Sequence, residues 1–224
     1  TTIQNGYHTI NGTYSNGIEL DTKEDTTIDT VTFNVLGNHS TGLVAGRYWN
    51  KHDPMDDLAV TNSIFNVSGG VSNSTSGIYL DNVKTTTINP TTYMYVANAS
   101  TGIELINSGR ETREINFAGH PGNISMHLGR NNSTSFNDGG GNIGVNIISD
   151  KINSAGIGTY GFIDAARAVK KQVNIHGFVD IYAESDNNTL FNNQGYADEL
   201  KIENGDVMYP TSVAGNGVIK IGRT

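Results

Sequence analysis

The residues best equipped for chemistry crowd into one stretch, Arg47-Tyr48-Trp49-Asn50-Lys51-His52-Asp53-Pro54-Met55-Asp56-Asp57. It holds the chain's only Trp, with Tyr48, Lys51, His52 and three carboxylates, Asp53, Asp56 and Asp57. Two carboxylates a few ångströms apart can cleave a glycosidic bond, one as acid and the other as base or nucleophile. Trp49 and Tyr48 would then offer flat rings on which a sugar stacks. The same three Asp could supply the oxygen ligands that Ca²⁺ wants from a loop. Their spacing, however, fits neither an EF-hand loop nor a repeated Gly-Gly-x-Gly-x-Asp. Tyr, Trp and Arg are also the residue types enriched at binding hot spots, which makes Arg47, Tyr48 and Trp49 candidates for partner recognition. Against these readings, an acidic cluster on a corner is more often a solvated turn. Trp49 could equally fold back and cap an apolar patch.

Other chemistry finds less support. The six His (8, 39, 52, 120, 127 and 176) show no HxH or HExxH spacing, and no metal or cofactor is expected. Asp138-Gly139-Gly140-Gly141 lacks the Gly-Lys-Ser/Thr that would make a phosphate cradle. Zero Cys excludes disulfides and zinc–thiolate sites. A net charge of −8 leaves no basic stripe for nucleic acid or for anionic lipid. No apolar run is long enough to cross a bilayer as a helix. Sequons such as Asn11-Gly12-Thr13 and Asn98-Ala99-Ser100 are plentiful, but a chain this rich in Asn, Ser and Thr supplies them by chance, and Asx-turns explain them more simply.

The elements that must carry these residues repeat. A small polar residue, Gly and alternating apolar residues occur at Asn16-Gly17-Ile18-Glu19-Leu20, Thr41-Gly42-Leu43-Val44-Ala45, Ser76-Gly77-Ile78-Tyr79-Leu80 and Thr101-Gly102-Ile103-Glu104-Leu105. The Gly-to-Gly steps are 25, 35 and 25 (42 − 17, 77 − 42, 102 − 77). A second strand aligns on Ile3, Ile28, Val60, Ile88 and Ile115, and a third on Phe33, Phe65 and Tyr93. Alternation inside each run puts one face inward and the other into solvent. Three strands recurring in one order predict an all-β, right-handed parallel β-helix with three-strand coils of about 25–30 residues. A β-sandwich would not need that order. Residues 1–224 read as a single domain, with regular coils over 1–118 and less regular coils and loops over 119–224. Thr86–Asn107 is the most regular coil, Arg47–Asp57 an insertion at a corner, Gly69–Val71 a smaller one, and Ala165–Lys171 the only helix-like stretch. The start within a strand-like TTIQN reads as a mature product or a piece of something longer.

Ser74-Thr75-Ser76-Gly77-Ile78-Tyr79-Leu80-Asp81-Asn82, Ala99–Asn107, Val173-Asn174-Ile175-His176-Gly177 and Gly215–Gly222 resemble the passenger domains of bacterial autotransporters. That resemblance implies a secreted or cell-surface β-helix, poor in Cys, whose role is adhesion, self-association or binding of a host-surface protein or glycan. No membrane insertion of this fragment and no enzymatic activity are expected. The rival is a carbohydrate-active β-helix, a pectinase-like glycan hydrolase or lyase or a phage tailspike, which would place the chain on a virion. For that reading Gly119-His120-Pro121 is faintly similar to a pectinase Gly-His-Gly. In either case the loop Arg47–Asp57 is where a ligand is expected, and the regular coil Thr86–Asn107 the place where it is least expected.

Overall fold

Short β-strands dictated by alternating apolar residues fill the computed structural model, which describes residues 1–46, 54–69, 75–89, 91–107, 113–118, 126–129, 142–149, 172–178, 181–183, 189–195, 199–202 and 218–221. The first coil is β1 (Thr2–Gln4), β2 (Tyr7–Ile10) and β3 (Asn16–Leu20), and the second is β4 (Thr26–Asp29), β5 (Thr32–Val35) and β6 (Thr41–Gly46). The third is β7 (Met55–Thr61), β8 (Ile64–Val67) and β9 (Ser76–Asp81), followed by β10 (Val83–Ile88), β11 (Tyr93–Val96) and β12 (Thr101–Asn107). Then come β13 (Arg113–Ala118), β14 (Met126–Leu128) and β15 (Ile143–Ser149), and after them β16 (Gln172–Phe178), β17 (Ile181–Ala183) and β18 (Thr189–Gly195). β19 (Glu199–Ile202) and β20 (Val218–Ile221) close the order.

Up to β19 every third strand stacks on its equivalent, and β20 stacks on β18, always in parallel. Sheet A is β1-β4-β7-β10-β13-β16-β19, sheet B is β2-β5-β8-β11-β14-β17, and sheet C is β3-β6-β9-β12-β15-β18-β20. This is a parallel β-solenoid, and no helix occurs among the described residues. Like residues stack because each coil offers its neighbour the same inward position. Sheet A stacks Ile3, Ile28, Val60 and Ile88. Sheet B stacks His8, Phe33, Phe65, Met94 and Met126, and sheet C stacks Ile18, Leu43, Ile78, Ile103 and Val145. Phe33 and Phe65 are fully buried, with ring centroids 4.7 Å apart and planes 12° from parallel. Burying each ring stabilises by about 1.5–3 kcal/mol, and an aromatic pair adds about 0.5–1.5 kcal/mol.

The corner from sheet A to sheet B is tight and takes a left-handed residue, at Asn5, Thr30 and Asn62, with φ of 57°, 56° and 48°. Asn bears that conformation well, whereas β-branched Thr30 does so at a cost. Behind the corner, the buried Ser63 hydroxyl donates to the Thr61 carbonyl and accepts from the Val31 N–H. The Gly copies form a ladder of their own. A Cβ at Gly42 would stand 2.7 Å from the carbonyl oxygen of Gly77, and one at Gly77 2.8 Å from that of Gly102. Glycine is needed there because the next coil's backbone fills the space. Gly102 meets Gly144 in the same way, so Ile143-Gly144-Val145 is a fifth copy that sequence alignment overlooks.

Two sequence alignments are corrected by the strand register. Ile115 pairs with Thr86, and the partner of Ile88 is Phe117. A slip of two residues keeps the inward face inward, so alternation alone could not detect it. Tyr93 pairs with Ile64, and the residue that stacks on Phe65 is Met94. Here the slip is one residue and reverses the face. Its cause is the longer corner Asn89–Thr92, where the Asn89 carboxamide accepts from the Thr91 N–H and hydroxyl and the Asn89 carbonyl from the Thr92 N–H. The helix-like stretch Ala165–Lys171 and the loop 137–141 lie outside the described residues, as does most of the 69–71 insertion beyond Gly69.

Candidate functional site

Register gives sheet B two outward rows. One runs Tyr7, Thr32, Ile64, Tyr93 and the other Thr9, Asn34, Asn66, Tyr95, His127. In the next coil the backbone of Tyr182 pairs with that of His127. Tyr7 is 74% exposed and Ile64 40% exposed, while Tyr93, Tyr95 and His127 are half-buried. The half-burial has a visible cause. Both tyrosines lean along the solenoid onto the next coil, where Tyr93 Oη and His127 Nδ1 stand 3.4 Å apart and the Tyr95 ring meets the imidazole edge-on at 5.3 Å. The direction of the hydrogen bond follows the imidazole tautomer. Tyr95 reaches as far as Gly129, since a Cβ there would lie 2.6 Å from the tyrosine oxygen. Below the rings, Asn66 Nδ2 donates to Asn34 Oδ1 at 2.8 Å, an amide ladder crossing two coils.

The charge pattern sets this face apart. No strand residue of sheet B is Asp, Glu, Lys or Arg. In the first four coils the neutrality extends through both flanking corners: residues 5–18, 30–46, 62–80 and 89–103 contain no charged side chain. The strands of sheet A, in contrast, carry Asp29, Asp56, Asp57, Lys84, Arg113, Glu114, Glu199 and Lys201, and those of sheet C carry Glu19, Asp81, Glu104 and Lys220. Soluble surfaces usually intersperse charges of both signs at about 25–35% of positions. A flat, neutral strip of rings, amides and hydroxyls can stack on the apolar face of a ligand and bond its hydroxyls. It offers no Lys or Arg with which to neutralise an anionic one.

Two carboxylates elsewhere have shifted affinities for the proton. Burial pushes Glu104 above the usual glutamate range, opposed by the Ser76 hydroxyl, which donates to Oε2 at 2.8 Å and favours the ionised form. Bonds from Thr61 Oγ1 at 2.7 Å and Asn62 Nδ2 at 2.8 Å hold Asp29 below the usual aspartate range. Asp29 thereby ties two coils together at the corner.

Of the residues that the sequence nominates, Arg47, Tyr48, Trp49, Lys51, His52 and Asp53 lie outside the described residues. Asp56 and Asp57 are exposed, and they belong to β7 rather than to a protruding loop. Asp57 is paired with Thr85, and the Asp56 N–H donates to the Lys23 carbonyl at 3.1 Å. Met55, between Pro54 and this pair, is fully buried and anchors the strand start. The insertion therefore ends at Pro54. Sequence reasoning missed Tyr93 and Tyr95 because aligning Tyr93 with Phe65 assigns the wrong face to β11, and it weighed His127, on β14, only as a metal ligand. The signal was present in the unbroken neutrality of residues 89–103 and their Tyr-x-Tyr alternation. Compared with known proteins, the chain matches no family model, no curated protein and no solved structure.

Proposed function

We propose that this chain is an adhesin-like recognition solenoid of the autotransporter-passenger kind, secreted or held at a bacterial surface, that binds a ligand on a host or neighbouring cell. The observation that carries the reading is the neutral, aromatic outer face of sheet B on a rigid repeating frame. Parallel strands bonded coil to coil fix the spacing of outward side chains along the axis at ~4.8 Å. Such a frame presents a long row of contacts without ordering a flexible loop, which lowers the entropic cost of binding. The Gly-copy sequences at 74–82 and 99–107 support the passenger assignment by resemblance alone.

The test is adhesion. Wells coated with the purified chain should retain cultured epithelial cells or bacteria above wells coated with albumin, and the soluble chain should compete. Equal retention on both coatings, with the chain folded by circular dichroism, would sink the reading.

A further inference from the structure

We infer that the outer face of sheet B is a binding site for a neutral polysaccharide chain, laid along the solenoid axis across Asn34, Asn66, Tyr93, Tyr95 and His127. The inference deepens the adhesive reading above and rests on it, by naming the ligand class and the face that takes it. Four observations converge on it. Tyr93 and Tyr95 are held in place by His127, through a 3.4 Å contact to Tyr93 Oη and an edge-on contact to Tyr95 at 5.3 Å. Their rings are thus fixed before a ligand arrives, and less side-chain entropy is lost on binding. Gly129 leaves the space into which the Tyr95 hydroxyl extends, since a Cβ there would be only 2.6 Å away. Along the same row the Asn34–Asn66 ladder offers amide groups whose remaining donor and acceptor sites suit sugar hydroxyls.

Charge then chooses among ligands. An acidic polysaccharide, a nucleic acid or a lipid headgroup needs Lys or Arg, and no sheet B strand residue supplies one. A protein partner wants a contiguous apolar centre, whereas here Thr32 separates the exposed Tyr7 and Ile64, and the polar row Thr9, Asn34, Asn66 runs beside them. A pyranose ring is itself two-sided, with an apolar face of C–H bonds and an edge of hydroxyls. One sugar unit along an extended chain is about as long as the ~4.8 Å step between coils. Asn34, Asn66, Tyr95 and His127, one from each of four successive coils, are therefore spaced to meet successive sugars.

The experiment is affinity electrophoresis of the full chain through native gels containing one neutral polysaccharide each, namely hydroxyethylcellulose, dextran, mannan or galactomannan, beside a gel containing alginate. The inference requires retardation by at least one neutral polymer and none by alginate. Tyr95→Ala should weaken that retardation about tenfold or more, as loss of an aromatic anchor does. Tyr95→Phe should keep it, because the ring remains, and Asp57→Asn on sheet A should leave it unchanged. Far-UV circular dichroism confirms that each variant keeps its strands. Mobility unaffected in every neutral gel overturns the inference, as does binding to alginate alone or binding indifferent to Tyr95→Ala in a folded variant. Concentration-dependent dimerisation abolished by Tyr95→Ala, with no polymer bound, assigns the face to a second copy and overturns it too. If the chain still holds cells in the adhesion assay while no polymer retards it, only the ligand class fails. If it does neither, the adhesive reading fails with it.

Discussion

Glu104 shows how a side chain that strand alternation assigns to the outer face can still act on folding. It stands between Tyr79 and Asn146 in register, takes the Ser76 hydroxyl bond, and has its proton affinity raised by burial. Because the folded-state pKa lies above the unfolded one, the folded protein binds this proton more tightly. The stabilisation is fully present below the ordinary glutamate range and is lost as pH rises through the raised pKa. Above the ordinary glutamate range, where the unfolded chain is ionised, the burial of this group therefore costs stability. Glu104→Gln keeps an acceptor for Ser76 and removes the charge. Denaturant unfolding should show the variant more stable at pH 7, by an amount within the roughly 0.5–3 kcal/mol of single substitutions, with the difference vanishing at a pH where the wild-type carboxyl is protonated. A larger gain at low pH than at pH 7 would contradict the sign. Asp29 works in the opposite sense, since its bonds to Thr61 and Asn62 favour the ionised form. Its contribution is present above the ordinary aspartate range and lost on acidification.

At the scale of elements, legibility depended on what a register error would change. The Gly copies at 17, 42, 77 and 102 were readable because only glycine fits against the next coil's carbonyl, so position and residue type coincide. Ile3, Ile28, Val60 and Ile88 were readable because equal spacing within coils brought like on like. Ile115 was misplaced by two residues, an error invisible to alternation, and Tyr93 by one, because the hydrogen-bonded corner Asn89–Thr92 is one residue longer than its counterparts. That second slip hid the candidate site, since it counted an outward tyrosine as core. The insertion at 47–57 was legible as an irregularity but not in its end, which the buried Met55 places before β7. One coil on, Asp81 and Val83 are bridged by Asn82 alone, with φ of 63°, and their partners across the sheet are Gly46 and Met55. Replacing residues 47–54 by a single Asn therefore copies the neighbouring corner. The shortened chain should keep a strand-dominated spectrum and its polysaccharide retardation. Collapse of the spectrum would show that Trp49 or its neighbours cap the core, and loss of binding in a folded chain would return recognition to the insertion.

The whole molecule is a one-dimensional stack, in which each coil contacts chiefly the coils before and after it, so stability is a sum of coil and neighbour terms. Such a stack should survive losing a coil when the cut respects register. Val60 and Ile88 occupy the same position one coil apart, and the step between them is 28 residues (88 − 60). Removing residues 60–87 joins Ala59 to Ile88, sets β5 against β11 and β6 against β12, and brings Phe33 onto Met94 and Leu43 onto Ile103. Each of these pairs is already an inward pair with a third residue between, Phe65 or Ile78. The deletion is expected to give a soluble protein with a strand-dominated far-UV spectrum and cooperative melting at a lower midpoint, since one layer of core is gone. Removing residues 60–73 joins sheet A directly to sheet C. It leaves no strand to occupy the sheet B position in that coil, and should forfeit cooperative melting. If the 28-residue deletion unfolds while the 14-residue one folds, coils are not the unit of this structure.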